Sequence, residues 1–282
     1  MNGYIIEKYN NMTNAYTCNR LVEEAKKLGI DLQIIGIHDT IILENEIYNS
    51  GRKLEKRDFV INRYKWGKEK DALNFLGEKS YNNLGKYNIY INKYEQVKRL
   101  HSEAFYVPKY VLGTAMIKYE EIANILGDSF VAKGLESSMG EQIALIKCEK
   151  GLINLCDTYG KEKEWLFEEF ITTSYGRDMR FYSIRGEVVA CMQRKSKGDF
   201  RANVALGASV EPYEITPEIR KIAKDIYEQT KLDFLGIDLL FGKNKPYFCE
   251  INVMPGLEGI EKASGVNVAK RILETIKSDY YK

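Results

Sequence analysis

The sequence predicts a mixed α/β (α+β) fold, in which a parallel α/β region comes first and antiparallel strands with covering helices follow. The opening residues are predicted to form a strand (GYIIEKY, 3–9), a helix with apolar residues at helical spacing, and a second strand (DLQIIGI, 31–37). Gly29 stands where a glycine commonly follows a helix end, and this strand–helix–strand order is typical of two parallel strands. RDFVINR (57–63) is predicted to add a strand to the same sheet.

Pairs of antiparallel strands are predicted from Phe130 onward, because short apolar runs there are separated by turn-forming residues. One pair flanks the loop GLESSMGE (134–141), and another flanks Arg185-Gly186, a two-residue connection suited to a hairpin. The strands of these two pairs are FVAK (130–133), QIALIK (142–147), RDMRFYSI (177–184) and EVVACMQRK (187–195). LDFLGIDLLFG and PYFCEINV form the last predicted hairpin. Helices are predicted at 93–104, at 115–126, from Thr216-Pro217 onward and at 267–278.

Composition argues against several classes of protein. The 282 residues include 42 Lys and Arg and 40 Asp and Glu, and this near-balance argues against a nucleic-acid binder or a polybasic membrane protein. No apolar run approaches the ~18 residues of a membrane span, and the first residues lack the pattern of a signal peptide. Five cysteines without a CxxC pair argue against a disulfide framework or a thiolate zinc site, so we expect a cytoplasmic protein.

Common nucleotide-binding and hydrolase motifs are absent from the sequence. It contains no Gly-x4-Gly-Lys-Ser/Thr phosphate loop, no GxGxxG after the first strand, no HExxH and no GxSxG. Only two histidines occur, so the sequence argues against a histidine-rich metal site and offers few candidates for a Ser-His-Asp triad. The search for a site therefore narrows to carboxylates, lysines and arginines.

Three polar residues in the last predicted hairpin form a candidate metal site. Glu250 and Asn252 are two apart in one strand and therefore project to the same face. If Lys243–Lys245 connects the strands, Asp238 lies opposite Glu250 on that face, whereas a one-residue slip would send it to the other side. Three hard oxygen donors of this kind suit Mg²⁺. The alternative is that these acids are solvated strand residues.

Two further features are basic. Lys133 ends a strand and precedes the loop GLESSMGE, where it could bind phosphates, although a plain surface hairpin fits the same pattern. The stretch 194–203 holds four positively charged residues and one acid, and Arg180 lies on the preceding strand. Arginine forks suit carboxylate or phosphate groups, and the alternative there is a solvated loop.

Several separate segments, taken in order, carry a specific resemblance. They are LFEEFI (166–171), GRDMRFY (176–182), GDFRANV (198–204), ITPEIRKIA (215–223), LGIDLL (235–240) and EINVMPGLEGIEKASGVNVA (250–269). Together they resemble the RimK branch of the ATP-grasp ligases, densely from about 130 to 275 and more loosely before. The resemblance implies an N-terminal pre-ATP-grasp α/β domain (1–90), a central ATP-grasp subdomain with a phosphate-covering loop (91–166) and a C-terminal subdomain with a magnesium site (167–282).

The resemblance also implies roles for individual residues. Asp238, Glu250 and Asn252 are expected to bind magnesium, with two ions in the site and Mn²⁺ as a possible substitute. ATP is expected to contact Lys93, Lys133, Glu168, Glu169, Phe170, Asp178, Arg201, Ala202 and Asn203. Within that set, Lys133 is expected at the phosphates and Asp178 near the ribose. Glu169 and Phe170, which Glu168 precedes, are expected on the strand whose backbone faces adenine. Arg180, Arg194 and Arg201 are the candidate catalytic residues.

The implied activity is an ATP- and Mg²⁺-dependent joining of an amino acid, such as glutamate, to a carboxylate. The carboxylate takes the γ-phosphoryl group of ATP to give an acyl phosphate, which the amine then attacks. The acceptor would be a protein C-terminus, a peptide or a small metabolite, and we expect a homo-oligomer without nucleic-acid or membrane partners. The alternative is a non-catalytic ATP sensor or partner-binding protein on the same fold.

Two departures from the family pattern bear on specificity. Ser137 and Gln142 stand where relatives usually carry glycine, although Gly140 is retained, and this predicts a stiffer or differently closing loop. Leu206 stands where the family tends to have an arginine. We therefore expect the substrate to differ from the one implied by ribosomal-protein glutamylation.

Overall fold

The computed structural model describes residues 1–10, 16–44, 46–64, 73–137, 141–204 and 207–281. The helices within these ranges are α1 Tyr16–Lys27, α2 Leu84–Tyr90, α3 Lys93–Arg99, α4 Tyr119–Leu126, α5 Glu149–Tyr159, α6 Pro217–Thr230, α7 Glu258–Ser264 and α8 Val268–Ser278. The strands are β1 Asn2–Glu7, β2 Asp31–Gly36, β3 Thr40–Leu43, β4 Glu46–Asn49, β5 Arg52–Lys53, β6 Arg57–Asn62, β7 Gly77–Tyr81, β8 Tyr110–Thr114, β9 Phe130–Gly134, β10 Ile143–Ile146, β11 Glu164–Glu169, β12 Arg177–Ile184, β13 Glu187–Lys195, β14 Ser209–Pro212, β15 Phe234–Leu240 and β16 Tyr247–Asn252.

The first sheet is parallel, with strand order β2-β1-β6-β7. The predicted strand–helix–strand opening and the added strand at 57–63 are therefore confirmed. Gly29 takes a φ of 71°, a left-handed conformation that glycine adopts without a side-chain clash, and α1 ends just before it. A small three-stranded sheet, β3-β4-β5, follows β2 and was not predicted.

The second sheet has the order β10-β9-β11-β8 and is antiparallel, as the predicted pair around GLESSMGE requires. Helices α4 and α5 contribute to a separate hydrophobic core with this sheet, centred on Phe130, Trp165 and Phe167. Two predicted helix bounds were wrong. The helix predicted at 115–126 starts at Tyr119, because a turn closed by the bond from the Ile117 amide to the Thr114 carbonyl precedes it.

The helix predicted at 93–104 ends at Arg99, because contacts with α6 hold the following residues in an extended path. The amide of His101 donates to Gln229 Oε1 at 3.1 Å, and the hydroxyl of Ser102 donates to Asp225 Oδ2 at 2.5 Å. These side-chain acceptors lie about 120 residues away in the chain, so local spacing did not predict where the helix ends.

The third sheet is antiparallel with the order β14-β13-β12-β15-β16. Its two predicted hairpins are confirmed, and Arg185 and Gly186 both take positive φ, as a tight hairpin turn of this length requires. In the last hairpin Asp238 pairs with Glu250, as predicted. The connection is longer than Lys243–Lys245, however, and Leu239 pairs with Phe248. Cys249 is therefore an extra residue, and this bulge keeps Asp238 on the predicted face.

The first and third sheets pack together through two shared cores, one of which includes α1 and α8. The predicted division at 90 and at 166 remains a prediction, and the second boundary falls inside β11. Within the described residues, no helix combines the length and apolar character needed to span a bilayer.

Asn82 connects the first and third sheets, and its loss should destabilise the protein strongly. Its side-chain amide donates to the carbonyls of Phe234 and Val253 at 2.8 and 2.9 Å and accepts from the Phe234 amide at 2.9 Å. We expect Asn82→Ala to lower the free energy of unfolding by about 3 kcal/mol or more, because each buried partner left unsatisfied costs about 1–3 kcal/mol. Urea denaturation measures this change.

The neighbouring Asn83 provides a matched control. It only caps α2, through an exposed bond from the Gly85 amide, so Asn83→Ala should cost about 1 kcal/mol. Equal losses in the two variants would contradict the role assigned to Asn82.

Candidate active site

One face of the third sheet carries charged side chains in register across four strands. Arg180 of β12 lies opposite Asp238 of β15, which lies opposite Glu250 of β16. Asp178 and Arg194 form the neighbouring pair between β12 and β13. Because residues two apart in a strand share a face, these side chains form two adjacent rows.

Asp238 is the centre of this arrangement. Arg180 donates to both carboxylate oxygens at 2.5 Å, and Arg194 Nη2 donates to Oδ2 at 2.8 Å. Burial favours protonation, but the charges of Arg180 and then Arg194 outweigh it and lower the pKa of Asp238 to about 2. Asp238 is therefore ionised at neutral pH, although only 2% of it is exposed.

Arg194 binds a second carboxylate as well. Its Nε and Nη2 donate to Asp178 Oδ1 and Oδ2 at 2.6 and 2.7 Å, a forked ion pair that is buried. Burial raises the pKa of Asp178 above that of an exposed aspartate, with Arg194 opposing it. Arg194 thus connects the predicted ribose-binding residue to the predicted metal-binding residue.

Lys133 brings the second sheet to the third. Its Nζ lies 2.5 Å from Glu168 Oε2 and donates to the Cys249 carbonyl at 3.4 Å. Burial lowers the pKa of Lys133, but the Cys249 sulfur and the Glu168 carboxylate outweigh burial and shift the pKa upward. Glu168 Oε1 is buried and accepts no hydrogen bond from the described residues. A buried acceptor of this kind is one that a ligand N–H group satisfies.

Lys93 links the loop after β9 to the row of Arg180, Asp238 and Glu250. Its Nζ donates to the Ser137 carbonyl at 2.6 Å and lies 3.2 Å from Glu250 Oε2. Gln142, at the other end of the loop, has a φ of 51°, and Lys163 donates to its side-chain oxygen at 2.6 Å. Its left-handed backbone and its bond to Lys163 favour the predicted stiffer loop, which remains a prediction; Gly140 and Leu206 lie outside the described residues.

The remaining predicted residues lie around this centre. Asn252 pairs with Gly236 in the next row, and its side-chain oxygen accepts from the Met254 amide at 3.0 Å. Glu169 ends β11, and the Phe170 ring packs against Phe200. Ala202 is buried, and Asn203 is half-buried in the segment after β13.

Arg201 pairs with an acid of its own segment. Its guanidinium donates to Asp199, at 3.0 Å from Nε and 2.6 Å from Nη2. Sequence reasoning missed Cys249, whose carbonyl contacts Lys133 and whose thiol has a pKa raised by burial to about 12. In the sequence, Cys249 is marked only by its position inside a predicted strand, because the pattern of apolar and polar residues does not reveal the bulge.

The predicted metal-binding residues fit magnesium in chemistry and register. No group of three or more His, Cys, Asp or Glu residues that could hold a metal occurs within the described ranges. The set instead offers two carboxylates and one amide, hard oxygen donors that suit Mg²⁺ when phosphates and water complete the coordination. Arginines and a lysine neutralise both carboxylates in this structure.

Comparison with known proteins agrees with this geometry. The family model for the RimK-like ATP-grasp domain matches residues 91–276. A probable alpha-L-glutamate ligase of Halorhodospira halophila (strain DSM 244 / SL1) is 30% identical over 280 residues, which cover 93% of this chain and 91% of the relative. The ribosomal protein bS6–L-glutamate ligase of Escherichia coli O81 (strain ED1a) is 28% identical, covering 93% and 92%.

A solved structure shows the same fold. The ATP-grasp ligase PsnB complexed with minimal precursor matches with a TM-score of 0.74 at 16% identity, covering 98% of both chains. The fold is therefore the ATP-grasp fold, as predicted. The chain belongs to the RimK-like ATP-grasp family. It is an ATP-dependent ligase, so the prediction of an enzyme is also confirmed.

Asp238→Asn should destabilise the protein, because it leaves the buried Arg194 and the half-buried Arg180 with less compensating charge. We expect the free energy of unfolding to fall by about 3 kcal/mol, the scale found when one partner of a buried ion pair is removed. Chemical denaturation followed by circular dichroism measures this loss.

Glu211→Gln on β14 is the matched control. Glu211 forms an exposed pair with Lys195, so its replacement should cost less than about 1 kcal/mol. If both variants unfolded at the same denaturant concentration, Asp238 would not organise this face.

Proposed function

We propose that the protein joins an amino acid of the glutamate type to a carboxylate acceptor through an acyl phosphate, using ATP and Mg²⁺. The observation that carries this proposal is the row formed by Arg180, Asp238 and Glu250, with Lys93 and Arg194 beside it. The names of the relatives, glutamate ligases in both cases, support the amino acid. A PsnB structure complexed with minimal precursor, Mg and ADP supports the ion and a peptide acceptor.

The nucleotide would lie between the second and third sheets. Lys133 and Lys93 would hold phosphates, and Oε1 of Glu168, which accepts no hydrogen bond from the described residues, would accept from the adenine amine. Backbone groups of Glu169 and Phe170 would face the adenine ring, and Asp178 would bind the ribose. Arg201, Ala202 and Asn203 would approach the phosphates from the segment after β13.

Asp238, Glu250 and Asn252 would hold magnesium, which when bound supplies positive charge against the phosphoryl oxygens. An oxygen of the acceptor carboxylate attacks the γ-phosphorus, and the bond to ADP breaks. Arg180 and Arg194 would stabilise the negative charge of the transferring phosphoryl group. The amine then attacks the acyl carbon, inorganic phosphate leaves, and the amine loses a proton.

No side-chain nucleophile is required by this sequence of steps. The acyl phosphate is sensitive to water, so the loop after Lys133 would cover it, with Lys93 bonded to the loop at Ser137. In this proposal the covering loop lies in the predicted central subdomain (91–166), and the metal-binding residues lie in the predicted C-terminal subdomain (167–282).

The proposal predicts ADP release that depends on ATP, Mg²⁺, an amino acid and an acceptor together. Glutamate with peptides that end in a free carboxylate is the first panel, and product mass shows whether one glutamate residue has been added. Binding of ATP without any turnover across broad panels would contradict the proposal and support a sensor instead.

Glu250→Gln should lower the rate of ADP release by roughly 100-fold or more, because a metal-holding carboxylate contributes several kcal/mol to the transition state. Glu211→Gln, on the same sheet but outside the row, should retain wild-type turnover. Equal rates in the two variants would remove Glu250 from the metal site.

A further inference from the structure

A largely buried charged pair lies at the carboxyl edge of the first sheet. Glu7 is the last residue of β1, and Arg63 directly follows the last residue of β6. Strand β2 lies on one side of β1, and β6 lies on the other side. The direction of the connections therefore reverses between β1 and β6, and the topological switch point lies between the ends of these two strands. Open parallel sheets bind their ligands in the crevice at such points.

Arg63 is held firmly but keeps hydrogen-bonding capacity. Its Nε donates to Glu7 Oε1 at 2.8 Å, and its Nη1 donates to the Pro255 carbonyl at 3.2 Å. Beyond these two bonds and an interaction with the Cys18 side chain, its guanidinium donates to no other residue among those the structure describes. Glu7 also accepts from the thiol of Cys18 at 3.1 Å, so the carboxylate is fixed from two sides.

Arg63 lies next to the proposed reaction centre. Pro255 is three residues beyond Asn252, and Tyr182 shares a cavity wall with Arg63 and Pro255. Tyr182 is two residues from Arg180 on the same strand and face, a step of roughly 7 Å. The guanidinium therefore lies one row beyond Arg180, Asp238 and Glu250.

The surroundings of Arg63 include a second unsatisfied polar group. Asn62 is 1% exposed, it lines the same cavity, and its Oδ1 accepts no hydrogen bond from the described residues. The cavity measures about 10 Å³, enough for one water-sized group. A ligand larger than a water molecule does not fit this cavity. Such a ligand would contact the exposed part of Arg63, which is 13% of the side chain.

A carboxylate is the chemical group that this arrangement fits. Arginine binds carboxylates through paired N–H groups, and Glu7 and the Pro255 carbonyl engage only two of the five N–H groups of Arg63. In the proposed reaction the acceptor carboxylate must lie at the metal row. The attacking amine lies about 3 Å from the acyl carbon, its α-carboxylate carbon lies about 2.5 Å further on, and an arginine N–H group lies about 3 Å from the carboxylate oxygen. An arginine about one row from the metal row can therefore reach this group.

We propose that Arg63, held by Glu7 and the Pro255 carbonyl, binds the α-carboxylate of the amino acid whose amine forms the new bond. This inference rests on the proposed function. Glu7 is a positioning residue that acts through Arg63. The site selects amino acids over simple amines, and it selects free amino acids over those whose α-carboxylate is blocked.

Calorimetric titration of the full chain with L-glutamate and with its α-amide, in the presence of ATP and Mg²⁺, tests the inference. The wild type should bind glutamate about tenfold or more tightly than the α-amide, because a charged hydrogen bond is lost. Arg63→Gln should abolish this preference, Arg63→Lys should retain part of it, and ATP affinity should stay unchanged in both. In turnover, the KM for glutamate should rise while the KM for the acceptor stays constant.

Arg57→Gln is the matched control. Arg57 lies at the opposite end of β6, is 13% exposed like Arg63, and pairs with Asp31 at 3.0 Å. It should keep the wild-type preference for glutamate over the α-amide.

The possible results separate the inference from the proposed function. An unchanged glutamate preference in Arg63→Gln overturns the inference, even if that variant melts earlier, because a purely structural clamp would behave in this way. If Arg63→Gln raises the KM for the acceptor instead of the KM for glutamate, the assignment of Arg63 to the amino acid is overturned. Absence of ADP release from the wild type overturns the proposed function, whereas the binding preference tests Arg63 without turnover. If the wild type binds glutamate and the α-amide equally, or binds neither, the inference fails.

Discussion

Asp238 is a buried carboxylate held between two arginines, and the charged face of the third sheet is organised around it. A carboxylate at this depth stays ionised only because Arg180 and Arg194 surround it, and each arginine is held in turn by the negative charge. Arg194 extends the arrangement to Asp178, and Glu250 extends it to Lys93. The site thus carries its own counter-charges before any ligand binds.

This balance of charge is consistent with the proposed binding of both a polyanion and a cation. With magnesium on the carboxylates, the arginines and the lysine would be available to neutralise phosphate oxygens. The near-zero net charge of the chain, 42 basic against 40 acidic residues, hides this local separation. The second and third sheets contribute opposite walls, with Lys133 of β9 reaching the Cys249 carbonyl of β16.

Much of the fold followed from local pattern. Strands at 177–184 and 187–195 were predicted to the residue, because strong alternation and an Arg-Gly turn coincide there. The pairing of Asp238 with Glu250 was also predicted, although the bulge at Cys249 and the longer connection were not. The helix predicted at 93–104 was too long, because hydrogen bonds from α6 decide where it ends. These contacts join residues more than 100 positions apart, and no local pattern encodes them.

The sequence by itself determined the fold class, the family and the residue types of the site, because these depend on periodicity and on ordered motifs. Only the tertiary structure decided which charges meet. Arg180 and Arg201 were predicted as candidate catalytic residues, and the tertiary structure pairs Arg180 with Asp238 and Arg201 with Asp199. The Glu7–Arg63 pair was not predicted at all, since it joins the ends of two strands that become neighbours only when the parallel sheet forms. Charge pairing depends on distances of a few ångströms, and those distances are set by packing between sheets.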